Sequence, residues 1–166
     1  MPTASPPKTL IRPLLHAATV SLLALNNAHA RELSALTSGE FDRLIGEAFY
    51  AAAVNDVDAF LIAFDQSAHY DSPNFLWFRQ RYDRFVYVDR IVTSPLARGK
   101  GYARALYADL FERAQASGHT RIVCEVNLDP PNVASDGFHT SLGFSEVGRA
   151  RIHSGLKTVR YLLRRL

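Results

Sequence analysis

The sequence predicts a mixed α/β fold, a sandwich of strands and helices in the order βα(α)βββαβαββ. Three observations carry that expectation. β-Branched runs such as Arg84–Thr93 and Arg121-Ile-Val-Cys-Glu-Val126 have strand length and composition. Between them lie stretches of helical period, and each change of period is marked by glycine, proline or a capping residue. The segment Val88–Ala103 runs from a strand through a short glycine loop into Arg104-Ala-Leu-Tyr-Ala-Asp-Leu110, the beginning of a helix.

Each element has its own local reason. Residues 1–9 form a Pro/Ser-rich lead, and a single domain is expected over 10–166. Leu10-Ile-Arg reads as a first strand and Leu14 to about Asn27 as a first helix. Thr37-Ser38 caps a second helix with Phe41, Leu44 and Ile45 at helical spacing. Ala48–Val54 and Ala59–Phe64 flank the turn Asn55-Asp56 as a hairpin. Gln66 to Asp83 reads as an aromatic-rich excursion before the strand Arg84–Thr93. The glycine loop opens a helix from Gly101 to about Ser117. Two prolines stop the next strand, and Asn132 starts a short helix that ends at Gly143, a natural residue for a left-handed C-terminal turn. A final strand pair falls near Phe144–Arg151 and Thr158–Leu163.

A chain of 166 residues can bury a substantial core, and 48% apolar with 21% charged residues is ordinary for a globular protein. The net charge of +3 conceals an asymmetry: residues 1–80 hold five Lys/Arg against eight Asp/Glu, whereas 81–166 hold fourteen against eight. A polyanionic small molecule would be drawn to the second half. Basic residues scattered over strands and helices, rather than gathered in an arm or on one helix, argue against nucleic acid. The lone cysteine, Cys124, excludes an internal disulfide and reads as a small buried strand residue rather than a nucleophile. Lys8–Leu25 followed by Ala28-His-Ala30 imitates a secretory signal, but Arg12, Pro13 and His16 interrupt its apolar stretch. Cleavage there would remove the first strand and helix, so a cytoplasmic protein without a membrane span is expected.

The glycine loop presents main-chain N–H groups at a helix N-terminus, which is an anion cradle. Its spacing, Arg98-Gly-Lys-Gly-Tyr-Ala-Arg104, fits neither the nucleotide-hydrolase phosphate loop nor the dinucleotide fingerprint. It does read Arg-x-x-Gly-x-Ala. Together with Glu125-Val-Asn and the helix closing in Leu142-Gly-Phe144, it resembles the GNAT superfamily of N-acetyltransferases, and the order of elements is similar over essentially the whole chain from Leu10. The resemblance implies a GNAT-like fold: a central twisted mixed sheet of about seven strands, splayed in the middle and flanked by about four helices. It also implies acetyl-CoA as co-substrate, no metal, and direct attack of an amine on the acetyl thioester.

That reaction requires an anchor for coenzyme A, a base and an acid. By resemblance, Arg98, Gly99, Lys100, Gly101, Tyr102 and Ala103 hold the pyrophosphate, and Ile91 and Val92 pair with the pantetheine arm. Asn132, Ser135 and Phe138 face the same arm. Glu125 is the leading base and Asp89 the second, with an ion pair to Arg90 or Arg84 as the alternative for Asp89. Where many GNAT enzymes carry a tyrosine acid, this chain has Phe138-His139, so His139 is expected to serve as acid, as base, as a substrate contact, or in none of these roles. Asn26, Asn27, Tyr70, Ser72, Asn74, Trp77 and Phe78 are candidates for the acceptor wall, and their mix of amide, hydroxyl and aromatic groups favours a small amine. A protein amino group and a non-catalytic acyl-CoA-binding module remain as alternatives, and the oligomeric state, a homodimer included, is left open.

Overall fold

The computed structural model describes residues 10–14, 20–30 and 33–166. The lead over residues 1–9 and the first part of the expected helix from Leu14 lie outside the described residues. The elements are β1 (Ile11–Pro13), α1 (Val20–Ala28), α2 (Ser38–Glu47), β2 (Tyr50–Val54), β3 (Ala59–Asp65), α3 (Pro73–Arg79), β4 (Val86–Thr93), α4 (Tyr102–Ala116), β5 (Arg121–Asp129), α5 (Val133–Ser141), β6 (Ser145–Ile152) and β7 (Lys157–Arg165), with a 3₁₀ turn at Pro95–Ala97. The strands form one sheet in the order β1-β2-β3-β4-β5-β7-β6.

Strand alternation explains how both faces of that sheet are covered. In β3, Phe60, Ile62 and Phe64 face one layer, where Leu22 of α1, Phe41 of α2 and Phe75 and Phe78 of α3 pack. Leu61 and Ala63 face the other, against Leu106, Tyr107, Leu110 and Phe111 of α4. A strand buried on both sides reads as an uninterrupted apolar run, which Ala-Phe-Leu-Ile-Ala-Phe does. Residues Val123 and Cys124 part in the same way, the first into the α1–α3 layer and the second into the α4 layer.

The expected elements are present, with one addition. The excursion 66–83 contains α3, so among the described residues five helices rather than about four flank the sheet. Seven residues are too few to show a helical period, and Phe, Trp and Asn are indifferent helix formers. Tertiary packing supplies what propensity does not, because Phe75 and Phe78 are fully buried. Pro73 at the first helical position was the local signal. For α2 the capping is reciprocal: Glu40 N donates to Thr37 Oγ1 at 3.2 Å and Thr37 N donates to Glu40 Oε2 at 2.7 Å.

One seam opens this sheet. Strands β4 and β5 are parallel and pair only at Val86↔Ile122 and Tyr87↔Val123, although both continue for several residues. On its other edge β4 stays paired to β3 as far as Thr93. The sheet is therefore splayed at its centre, and the edge of β4 that faces β5 is left without a ladder from Val88 onward. Among the described residues no helix is long and apolar enough to cross a membrane.

Candidate functional site

The glycine loop closes the wide end of the seam. Gly99 and Gly101 have φ of +78° and +77°, a left-handed conformation that penalises a Cβ, and an added Cβ at either would point into open space. Gly101 is the N-cap residue of α4. The amides of that first turn have no carbonyl to bond within the helix, so they and the positive helix end face a shallow cavity of about 300 Å³. Arg98, Tyr102, Ala103, Arg104 and Phe138 complete its wall, whereas Lys100 is exposed beside it.

A second cavity, about 260 Å³, runs along the seam itself between Ile91–Thr93 of β4 and Val126 and Asn127 of β5. Arg98, Asn132 and Ser135 also line it. Asn132 caps α5, its Oδ1 accepting from the Ser135 amide at 3.3 Å.

His139 lies deeper, 2% exposed between α4 and α5. Its Nδ1 is 2.7 Å from the Ser135 carbonyl oxygen, which requires a proton on Nδ1. Its Nε2 then accepts from the Tyr107 hydroxyl at 2.6 Å. Burial pushes the imidazole pKa down. Both nitrogens of this neutral ring are thus engaged inside the protein.

Two carboxyl groups flank the seam, and they differ in how they are held. Asp89 is closed in, with Tyr70 Oη donating to Oδ1 at 2.7 Å and Arg90 Nε donating to Oδ2 at 2.9 Å. Burial raises its pKa while Arg90 opposes the rise. Arg90 is itself buried, and its guanidinium also donates to Asn26 Oδ1, to the Ser34 carbonyl and to Ser34 Oγ. Glu125 receives one side-chain donor, Asn74 Nδ2 at 3.1 Å to Oε1. Its Oε2 is sealed from solvent and has no hydrogen-bond partner among the described residues. Burial first, and the nearby Asp89 charge second, push the Glu125 carboxyl up to about 8. The Tyr87 hydroxyl, likewise buried, stands close enough to favour the ionised carboxylate, although no well-formed hydrogen bond joins the two.

Glu125, Asp89 and Asn127 are shared between the seam cavity and a third space of about 460 Å³ on the α3 side. Tyr70, Asp71, Ser72, Asn74 and Tyr87 line this third cavity, with His153 and Lys157 at the β6–β7 turn. Of the residues expected at an acceptor wall, Tyr70, Ser72 and Asn74 are therefore brought together. Asn26, Asn27 and Trp77 are not. Asn26 is fully buried against Arg90, and Asn27 ties down the α1–α2 connection through both the amide and the carbonyl of Leu36. Trp77 stacks on Tyr161 at 4.1 Å, and Phe78 is core. Tyr87, Tyr107 and Tyr161 were not anticipated, since nothing local distinguishes a core tyrosine from one whose hydroxyl reaches a site. Among the described residues no group of three His, Cys, Asp or Glu side chains gathers as metal ligands do.

Comparison with known proteins gives this geometry a context. Residues 73–144, which contain α3, the seam, the glycine loop and α5, match the acetyltransferase (GNAT) family. No curated protein matches the chain significantly. Among solved structures, the fold is similar to that of a GNAT-family acetyltransferase from Streptococcus pneumoniae, with a TM-score of 0.69 and 20% identity over 96% of this chain and 100% of that one. It is also similar to NAA60 of Arabidopsis thaliana in complex with acetyl-CoA, with a TM-score of 0.68 and 14% identity over 96% and 99% of the two chains. The ribosomal-protein-S18-alanine N-acetyltransferase of Escherichia coli gives 0.64 and 17% over 95% and 93%. At such identities the likeness is one of fold.

Proposed function

We propose that this chain, which belongs to the GNAT superfamily by its fold and by its segment 73–144, is an N-acetyltransferase that moves the acetyl group of acetyl-CoA to a small primary amine. The three cavities supply the places such a reaction needs. The glycine loop offers main-chain amides and the charge of Arg98 and Lys100 to a pyrophosphate, with Tyr102 and Ala103 beginning the helix behind it. Along the seam, the unladdered edge of Ile91 and Val92 offers main-chain partners to an extended arm, with Asn132, Ser135 and Phe138 on the opposite side. The amine adds to the carbonyl of acetyl-CoA, the C–S bond breaks, and coenzyme A leaves as a thiolate that takes up the second proton the nitrogen gives up, the first having gone to the base.

The observation that carries the reading is Glu125. A mostly buried carboxyl that lines both the donor and the acceptor cavity, with one oxygen lacking a well-formed hydrogen bond, is suited to take a proton from an amine. A pKa near 8 lets it gain and lose that proton under ordinary conditions. The Tyr87 hydroxyl gives the same nitrogen a second polar contact. Asp89, with both oxygens occupied, keeps Arg90 and Tyr70 in place and maintains a negative field beside Glu125. His139 holds the Tyr107 hydroxyl rather than offering a free proton. The acceptor cavity has the volume of a small-molecule site.

The test follows free thiol while acetyl-CoA is incubated with a panel of small amines and of peptides with free N-termini. Turnover on small amines that is lost in Glu125→Gln is the expected result. Turnover on peptides alone would move the acceptor to a protein amino group. Tight acetyl-CoA binding with no turnover on any amine would make the chain an acyl-CoA-binding module.

A further inference from the structure

The residues that hold Glu125 in place lie outside the seam. Asn74 of α3 is 9% exposed and uses both ends of its amide. Nδ2 donates to Glu125 Oε1 at 3.1 Å, and Oδ1 accepts from the Tyr161 hydroxyl of β7 at 2.9 Å. The second bond decides the first, because an amide whose oxygen is held by a donor must turn its NH₂ to the other neighbour. Tyr161 is itself immobilised: its ring stacks on Trp77 at 4.1 Å with a 20° interplanar angle and meets Phe78 edge-on at 5.1 Å. The Trp77 ring in turn lies under the Arg81 guanidinium at 3.8 Å and over Gly148, where a Cβ would come within 2.4 Å of it. A line of contacts thus runs from the bulge of β6 through α3 and β7 to one oxygen of the carboxyl.

We infer that Asn74 and Tyr161 are positioning residues for Glu125: they hold its Oε1 and so fix the carboxyl where the donor and acceptor cavities meet. The inference rests on Glu125 being the base, and it assigns Asn74 to the protein's own carboxyl rather than to substrate. It distinguishes Glu125 from Asp89, whose two oxygens are both bound. It also gives α3 a purpose beyond packing, because this helix places Asn74 beside the acceptor cavity and Trp77 against Tyr161.

Other groups act on the same carboxyl. Asp89, paired to Arg90, and Tyr87 face it from β4, Tyr70 from the segment before α3, Tyr107 from α4, and Tyr161 from β7, with Cys124 adjacent on β5. His153 and Lys157 share the acceptor cavity. Of these, only Tyr161 loses a partner when the Asn74 amide is removed. The amide bond favours the ionised carboxylate, so its loss moves the Glu125 midpoint upward.

The experiment compares wild type, Asn74→Leu, Tyr161→Phe and Glu125→Gln in the full chain. The Glu125 carboxyl is titrated by ¹³C NMR after glutamate labelling, with Glu125→Gln assigning the resonance, and kcat and KM for acetyl-CoA are measured against pH. Asn74→Leu is expected to raise the midpoint by about one pH unit, the worth of one hydrogen bond to a charged group. The ascending limb of kcat moves with it, and KM for acetyl-CoA stays put. Tyr161→Phe keeps the stacked ring and frees the amide, so it gives a smaller shift in the same direction. A carboxyl midpoint unmoved in both variants, with Glu125→Gln inactive, overturns the inference and leaves the base intact. Glu125→Gln turning over like wild type overturns both. Should Asn74→Leu fail to fold, Tyr161→Phe, which removes one hydroxyl, decides alone.

Discussion

The two sides of the seam are made of different material. On the donor side, main chain dominates: two glycines with positive φ, the first amides of α4, and a strand edge that lost its ladder. On the acceptor side, side chains dominate, and they come from α3, β4, β5, β7 and the β6–β7 turn. Backbone amides donate to any phosphate with suitable geometry, whereas a wall of Tyr70, Asn74, Tyr87 and Glu125 selects by shape and polarity. One side can be shared across a fold family while the other is rebuilt.

If that division holds, substitutions on the two sides should damage different kinetic constants. The largest effect is expected from Glu125→Gln, which keeps size and removes the proposed base. Turnover should fall by about 10²- to 10⁴-fold, the usual worth of a positioned base, with KM for acetyl-CoA unchanged. Gly101→Val does the opposite. A β-branched residue at φ +77° strains the loop that forms the cradle, at about 1–3 kcal/mol for such a conformation, so KM for acetyl-CoA should rise about tenfold or more. Steady-state kinetics with acetyl-CoA varied would show both, and a common effect on both constants would break the comparison.

Gly148→Ala tests whether the acceptor side depends on packing remote from the chemistry. The new methyl meets Trp77 at 2.4 and 2.7 Å, so the indole must leave its place over Tyr161. Overpacking of this kind destabilises by about 1–3 kcal/mol, read as a fall of several degrees in Tm by calorimetry. Turnover should drop more than acetyl-CoA affinity, since the cradle lies elsewhere.

The same division governs what could be read from the amino acids alone. The cradle was legible because its signal is local: a strand, Arg98-Gly-Lys-Gly and a helix start are contiguous. Glu125 could be proposed because Glu125-Val-Asn belongs to the family resemblance, although β5 runs on to Asp129, and an Asp89–Arg90 pair from adjacency. Nothing in the sequence could reveal that Tyr161 would meet Asn74, because 87 residues separate them. Asn26 and Asn27 had the right chemistry for an acceptor wall, yet the buried Arg90 and the α1–α2 connection claim them. His139 was visible as a departure from tyrosine, but its role depends on Tyr107, one layer away on α4. Helix α3 escaped notice since its order comes from the core it packs against.

Glu125 also leaves a mark on stability that needs no substrate. Its pKa rises from an ordinary value of 4.5 to about 8 on folding, so between those limits the native chain holds a proton that the unfolded chain has released. Stability from this group is fully present below pH 4.5 and is lost as pH climbs through 8. Asp89 contributes in the same direction. His119 and His139, whose pKa values are lowered by burial, contribute oppositely near their ordinary value of 6.5. The difference between Glu125→Gln and wild type removes these shared contributions. Urea denaturation across that range should show wild type losing stability relative to the variant as pH rises, with the two curves parallel below pH 4.5. Parallel curves throughout would mean that the carboxyl ionises in the folded chain as it does in water, and the acceptor side would lose the feature that sets it apart from the cradle.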